Sequence, residues 1–201
     1  LNRKPDLRIY KDLSTMMSNE SLDIVSLCTP VEYHAEQIIF CSGKVRAVIC
    51  EKPLGVDSNE CKNAVEACEK AGSVLAVNYY KRYDGVVPLV KTILSEEMLG
   101  TIRSATMYYS GPLDAVCSHA VDLLLFLLGP IMLKEVCRLS EDRISAILTF
   151  GREGMALLHC TGPREDLIFE LDIIGSDGRV RILDNANRYE RYRFVPSQHY
   201  G

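Results

Sequence analysis

Long apolar segments are missing from this chain of 201 residues. It has no uninterrupted hydrophobic run near the ~18 residues that a membrane-spanning helix needs. Its first ten residues, LNRKPDLRIY, lack the hydrophobic core of a signal peptide. The formal net charge of −4 disfavours a nucleic-acid binder. We therefore expect a cytoplasmic protein that binds neither a membrane nor nucleic acid.

Metal-ligand motifs are also missing. The eight cysteines include no CxxC pair, and neither they nor the four histidines show the spacing of a zinc site. Several cysteines, such as Cys50 and Cys68, stand within apolar segments. This distribution predicts buried free thiols in a reducing compartment and no metal ion.

The first 80 residues alternate between strand and helix patterns. Residues 1–20 are polar and only weakly patterned, and short apolar runs typical of buried strands then alternate with segments of helical period. Asp57, Glu60 and Gly72 predict the capping box and the C-terminal cap of the second helix. The order predicts a Rossmann-type, doubly wound parallel sheet. The predicted strands are 23–28, 45–50 and 73–78, and the predicted helices lie at 31–41 and between 57 and 72.

The glycine-rich loop of dinucleotide-binding proteins does not occur, since the chain contains neither GxGxxG nor a Walker lysine motif. Either the chain binds no dinucleotide, or its first βαβ unit lies upstream of Leu1. A doubly wound domain whose first clear strand begins at Asp23 has only half of its usual sheet. We therefore expect an upstream unit.

The pattern changes after residue 82. Segments 84–99 and 118–128 predict helices, and a strand at 101–110 lies between them. Beyond residue 130 only strands and turns are predicted, which favours an antiparallel meander. We expect two domains: a partial Rossmann-type domain over 1–82, and an α+β domain with a mostly antiparallel open sheet over 83–201. The six later strands are predicted at 132–139, 143–150, 155–160, 166–174, 179–183 and 188–195.

Charged residues follow the central predicted strand directly. Glu51 and Lys52 come after the apolar run 45–50, and Pro53 ends the ladder and favours an extended backbone at Lys52. Ligands bind at the carboxyl ends of strands in open parallel sheets. A lysine held there is well placed for chemistry, although a solvated strand end would show the same residues.

Short motifs recur along the chain from about Leu22 onwards. They are DIVSLCTP at 23–30 with His34, CEKPL at 50–54, NYYKRYD at 78–84, LGTIR at 99–103, and SHAVDLL at 118–124 with Leu128-Gly129. In this order the chain resembles the Gfo/Idh/MocA family (glucose–fructose oxidoreductase, inositol dehydrogenase and relatives). The resemblance implies a dinucleotide-binding N-terminal domain and a C-terminal domain whose open sheet mediates homo-oligomerisation, as a dimer or tetramer. It also implies that the glycine-rich segment and a C-terminal segment are absent from this sequence.

The resemblance places functions on matching positions. It implies an NAD(P)-dependent oxidoreductase that acts on a CH–OH group of a sugar, sugar nucleotide or cyclitol, with Lys52 and His119 as catalytic residues. It further implies that NAD or NADP contacts Thr29, Pro30, His34, Glu51, Lys52, Pro53 and Asn78, and that substrate contacts Lys52, Arg82, His119 and Asp122.

Other interpretations of these residues stay open. Ser118, His119 and Asp122 would also suit a structural cluster with Ser118 as helix cap, and Arg82 would also suit an ion pair with Asp84. Many family members carry Asp or His where this chain has Ala115, and frequently glycine where it has Cys117.

Asp114 stands one residue out of register with that acidic position. The alternative is therefore a non-catalytic nucleotide-binding or regulatory family member. A third interpretation is a subunit that assembles through one sheet face carrying Ile147, Leu157, Phe169 and Leu171.

Overall fold

The computed structural model describes residues 7–111, 113–140, 143–162 and 167–196. The chain forms two compact units, Leu1–Asn78 and Tyr79–Gly201. Residue 166, where one strand is predicted to begin, lies outside the described residues. No helix in the described part of the chain is long and apolar enough to cross a membrane.

The first unit contains a three-stranded parallel sheet with the strand order β1-β2-β3. Leu27, Cys50 and Val77 lie side by side at the carboxyl ends of these strands. The residues that follow them therefore emerge along one edge of the sheet. The elements are α1 Leu13–Asn19, β1 Ile24–Leu27, α2 His34–Cys41, β2 Ala47–Cys50, α3 Ser58–Ala71 and β3 Val74–Val77.

Alternation along β1 and β2 buries one face of this sheet. Leu27, Val48 and Cys50 pack with Ile38 of α2 and Cys68 of α3 in one apolar cluster. Burial of such side chains contributes about 1.5–3 kcal/mol each, so the helices are held on the sheet mainly by this face. The β-α-β-α-β order predicted from the sequence is confirmed.

Helix α3 begins and ends where its caps predict. The Asp57 carboxylate accepts hydrogen bonds from the N–H groups of Asn59 and Glu60, at 2.8 and 2.9 Å. Gly72 adopts the left-handed conformation at the other end, with φ of 71°. The reciprocal bond differs from the expected box, because the Glu60 carboxylate accepts from Val56 N–H instead, at 3.2 Å.

Helix α1 was not predicted. Its N-cap is Asp12, whose carboxylate accepts from Thr15 N–H at 2.7 Å. None of its residues is buried, and only Leu13 and Met17 pack against the apolar cluster. A helix with so narrow an apolar stripe leaves little periodic signal in the sequence.

The second unit contains a seven-stranded sheet with the strand order β10-β9-β8-β4-β7-β6-β5. Strand β4 pairs parallel to β7 and antiparallel to β8, and the other neighbours are antiparallel. Its elements are α4 Val87–Ser95, β4 Ile102–Tyr109, α5 Ser118–Leu128, β5 Ile131–Ser140, β6 Arg143–Phe150, β7 Gly154–Cys160, β8 Phe169–Gly175, β9 Gly178–Leu183 and β10 Arg188–Arg193.

The predicted meander is wrong at one point, because β4 lies between β7 and β8. Two antiparallel groups, β5-β6-β7 and β8-β9-β10, therefore flank an earlier strand. The predicted class, a partial Rossmann-type parallel sheet followed by a mostly antiparallel sheet with helices, is confirmed.

Helix α5 packs on one face of the second sheet. Its Leu123 and Leu124 are fully buried, in a cluster with Met107 and Ile173. The prediction that one sheet face carries Ile147, Leu157, Phe169 and Leu171 is wrong. Phe169 and Leu171 lie in the buried core, whereas Ile147 and Leu157 are partners on the more exposed face of β6 and β7.

Candidate active site

In the first unit, the polar residues implied by the resemblance gather at the carboxyl edge of the parallel sheet. Thr29, Glu51 and Asn78 follow β1, β2 and β3 closely. Backbone bonds fix their strands, since Glu51 N–H donates to Leu27 O at 2.9 Å and Asn78 N–H donates to Cys50 O at 2.8 Å. This edge is where dinucleotides bind in open parallel sheets.

His34 connects two of the loops at this edge. Its side chain is buried, with Nδ1 2.7 Å from Pro53 O and Nε2 2.7 Å from Thr29 O. Both partners are carbonyl acceptors, so a neutral ring donates to one of them, and only a ring that carries both protons donates to both. His34 thereby ties the loop after β1 to the loop after β2.

Glu51 and Asn78 are joined directly. Asn78 Nδ2 donates to Glu51 Oε1 at 2.6 Å, and both side chains are half-buried. Lys52 is also half-buried, and the Lys52–Pro53 peptide bond is cis. Thr29 Oγ1 donates to Gln37 Oε1 at 2.7 Å, a partner on α2 that was not predicted.

Cys50, the last residue of β2, is not available as a nucleophile. Burial, and then the negative charge of Glu51, raise the pKa of its thiol to about 12. The thiol is therefore protonated at neutral pH, and it donates to Glu51 O at 3.2 Å.

In the second unit, His119 lies near the start of α5 with only 8% of its surface exposed. The Tyr79 ring meets the imidazole edge-on, with the ring centroids 5.7 Å apart, and the Tyr80 ring does so at 5.2 Å. No role was predicted for these tyrosines, although they stand within the NYYKRYD motif at 78–84. Their adjacency to Asn78 was the only available signal.

Ser118 does not cap α5, contrary to one interpretation of the sequence. A π-helical segment, Leu113–Cys117, precedes the helix, and Ser118 Oγ donates weakly to Ala115 O at 3.4 Å. Residue 117 occupies the N-cap position, and its side chain makes no capping hydrogen bond. The Asp114 side chain lies outside the described residues, so its register relative to His119 stays untested.

Arg82 and Asp122, both predicted to contact substrate, bind one another. Arg82 Nε donates to Asp122 Oδ2 at 2.8 Å, and Nη2 donates to Oδ1 at 2.5 Å. Hydrogen bonding to this carboxylate raises the pKa of the Arg82 guanidinium. The alternative pairing of Arg82 with Asp84 is wrong, because Arg82 binds Asp122 and the Asp84 carboxylate instead accepts from Lys81 Nζ, at 3.2 Å.

The predicted site residues thus form two groups, one in each unit. Thr29, Pro30, His34, Glu51, Lys52, Pro53 and Asn78 belong to the first, and Arg82, His119 and Asp122 belong to the second. Among the described residues, no three His, Cys, Asp or Glu side chains form a cluster suited to a metal ion.

Residues 1–79 match the family model described as "Oxidoreductase family, NAD-binding Rossmann fold" (GFO_IDH_MocA). D-apiose dehydrogenase of Paraburkholderia graminis is 28% identical over 141 residues, which cover 62% of this chain and 38% of that protein. Myo-inositol 2-dehydrogenase of Thermotoga maritima is 26% identical over 93 residues, 46% of this chain and 28% of that protein. The chain thus spans well under half of the length of these two relatives.

Solved structures share the fold across both units. The WlbA dehydrogenase from Bordetella pertussis, in complex with NADH and UDP-GlcNAcA, matches with a TM-score of 0.82 and 25% identity, over 95% of this chain and 66% of that one. An inositol dehydrogenase homolog from Azotobacter vinelandii, complexed with NAD+, has the same fold, with a TM-score of 0.82 at 18% identity.

The resemblance to the Gfo/Idh/MocA oxidoreductase family is thereby confirmed, and with it the NAD-binding Rossmann class of the first unit. The residues of that unit suit the cofactor. Hydroxyl, carboxylate and amide groups at the ends of three parallel strands are groups that bind ribose hydroxyls and a carboxamide.

Proposed function

We propose that this chain forms part of an NAD(P)-dependent oxidoreductase that acts on a CH–OH group of a sugar, sugar nucleotide or cyclitol. One observation carries the proposal. The Glu51-Lys52-Pro53 loop follows β2 at the same sheet edge as Thr29 and Asn78, within the stretch that matches an NAD-binding family. Named relatives include D-apiose and myo-inositol dehydrogenases, which support the substrate class.

Lys52 and His119 are the proposed acid/base residues. Lys52 orients the substrate oxygen and exchanges its proton, and His119 assists. Positioned acid/base groups contribute about 10²–10⁴-fold to such steps. Thr29, Pro30, Glu51, Pro53 and Asn78 hold the cofactor, with His34 acting through the two loops that its buried ring joins, and a bound nicotinamide supplies the hydride chemistry that side chains lack.

A second candidate function is nucleotide binding without hydride transfer. Ala115 favours it, because this side chain has no group that exchanges a proton where many family members carry Asp or His. The place of Lys52 at the carboxyl edge of the parallel sheet favours the enzyme, because ligands bind at this edge in open parallel sheets.

The two candidates are separated by binding and turnover on the full-length protein. NADH and NADPH are titrated by fluorescence, and a panel of sugars, cyclitols and UDP-sugars is then scanned at the reduced-nicotinamide absorbance. Saturable binding with turnover of a panel member supports the enzyme. Binding without turnover across the panel supports the second candidate, and no binding contradicts both.

We also propose a cytoplasmic homo-oligomer, a dimer or tetramer assembled through the more exposed face of the second sheet. Leu157 and Met155 of β7 are 36% and 54% exposed, and apolar side chains on one sheet face are typical of subunit interfaces. Sedimentation of the full-length protein tests this proposal. A Leu157→Arg variant is expected to sediment as a smaller species, and an unchanged mass contradicts the assignment of this face.

A further inference from the structure

The Arg82–Asp122 pair joins two segments of the second unit. Arg82 ends a short 3-10 turn, Tyr80–Arg82, and Asp122 lies on α5. Both carboxylate oxygens accept from the guanidinium, at 2.5 and 2.8 Å. Such a bidentate bond fixes orientation as well as distance. The Asp122 side chain is only 8% exposed, so Arg82 compensates a buried charge.

The same two segments carry the His119 environment. Asp122 lies one helical turn after His119, and residues at this spacing share a helix face. Tyr79 and Tyr80 stand in or beside the turn that Arg82 ends, and both rings meet the imidazole edge-on. The ion pair therefore fastens the turn with the two tyrosines to the helix with the histidine.

The other cation of the turn is anchored elsewhere. Lys81 Nζ donates to Asp84 at 3.2 Å and to Asn185 O at 3.4 Å, and it lies 5.4 Å from the Phe169 ring. These contacts fix the turn to the sheet side of the unit. Arg82 is thus the side chain by which the turn is ion-paired to α5.

We propose that Arg82 and Asp122 are positioning residues that set the orientation of the His119 ring and do not themselves contact substrate. The inference rests on the proposed function, because it assigns His119 a part in proton transfer. Arg82 already donates to each oxygen of the Asp122 carboxylate, and that side chain is only 8% exposed, so little of the carboxylate faces a sugar hydroxyl. A small misplacement of an acid/base group costs up to about 100-fold in rate.

The test uses Asp122→Asn and Arg82→Lys in the full-length protein, with the substrate that the panel identifies. Both substitutions keep a side chain of similar size. Asp122→Asn removes the negative charge, and Arg82→Lys removes the planar guanidinium that donates two parallel hydrogen bonds. We expect kcat to fall about 10- to 100-fold while KM stays within about twofold. An increase in KM at constant kcat would overturn the inference, because it would show uniform substrate binding by the pair.

A matched control exists in the same unit. Arg179 also binds Asp172 through Nε and Nη2, between neighbouring strands β8 and β9, and the two arginines are almost equally exposed. Asp172→Asn removes the same kind of ion pair, and kcat is expected to stay at the wild-type value. An equal fall in kcat for Asp172→Asn and Asp122→Asn would overturn a specific positioning role.

A spectroscopic measurement keeps the inference testable apart from activity. Histidine-selective ¹³C labelling, with His119→Gln to assign the resonance, reports the ring-current field of the two tyrosines at His119. We expect this resonance to move in Asp122→Asn and Arg82→Lys, and to stay in place in Asp172→Asn. An unmoved resonance in all three variants overturns the positioning role. A protein without turnover but with a moved resonance contradicts only the proposed function.

Discussion

Replacement of His34 by alanine removes the group that joins the Thr29 loop to the Pro53 loop. Both carbonyl oxygens lie 2.7 Å from a ring nitrogen, and the side chain is 1% exposed. A buried acceptor left without its donor costs about 1–3 kcal/mol. The ring donates to at least one of the two carbonyls, and its packing is lost as well. We expect the free energy of unfolding of the first unit to fall by about 2–4 kcal/mol.

The assay combines urea unfolding with amide hydrogen exchange of the full-length protein. Exchange is expected to rise in segments 29–34 and 51–54, and cofactor affinity is expected to fall, because the position of Lys52 depends on this loop. His159→Ala is the matched control. His159 is half-buried on β7, where its Nδ1 lies 3.2 Å from Ser145 Oγ, and its loss should cost under about 1 kcal/mol. A cost below about 1 kcal/mol for His34→Ala, with unchanged exchange in both segments, would refute the reasoning.

Three further predictions concern single side chains. Because the pKa of the Cys50 thiol is raised to about 12, only about one thiol in 10⁴ is ionised at pH 8. Iodoacetamide should therefore label the exposed Cys28 first and Cys50 only after unfolding, as measured by mass spectrometry. Equal labelling rates of the two cysteines would contradict this prediction. Asp57→Ala should lower the stability to urea by about 1 kcal/mol while Asp57→Ser stays close to wild type, and equal losses would show that the cap bonds contribute nothing. Leu124→Ala should lower the free energy of unfolding by about 2–5 kcal/mol, because Leu124 is fully buried. The neighbouring Leu125 is 41% exposed, so Leu125→Ala should lower it by less than about 1 kcal/mol. Similar losses for the two variants would disprove the assigned orientation of α5.

Features with local causes could be predicted from the sequence. The caps of α3 at Asp57 and Gly72 depend on bonds within one or two turns, and the apolar run that contains β2 reflects burial by its own helices. Glu51 and Lys52 were expected at the carboxyl edge of the sheet, and the register of Leu27, Cys50 and Val77 places them there. Helix α1 escaped prediction because none of its residues is fully buried, so its apolar stripe is narrow.

Features that join distant residues could not be predicted in this way. The insertion of β4 between β7 and β8 pairs Tyr109 with Cys160 and with Phe169, and strand periodicity does not specify partners. One interpretation paired Arg82 with Asp84, but Arg82 binds Asp122 on α5. Charge and spacing along the chain do not reveal which of several carboxylates a guanidinium reaches after folding.

The position of Lys52 illustrates what the family resemblance adds. Its place after a buried strand followed from the sequence pattern, whereas its proposed contact with cofactor and substrate came from the matched Glu-Lys-Pro motif. The structure adds the His34 bond to the Pro53 carbonyl and the backbone bond from Glu51 N–H to Leu27 O, which fix the backbone on both sides of the lysine. These bonds give the proposed role a physical basis that the motif alone did not supply.

The most direct measurement of the central claim is the turnover number of Lys52→Ala in the full-length protein at saturating cofactor and substrate. Lys70→Ala is the matched control, because Lys70 lies exposed on α3, where it pairs with Glu66 at 3.1 Å. The account predicts a fall of about 10²–10⁴-fold for Lys52→Ala and an unchanged value for Lys70→Ala. Equal turnover in Lys52→Ala and the wild type would contradict the assignment of Lys52 as an acid/base residue.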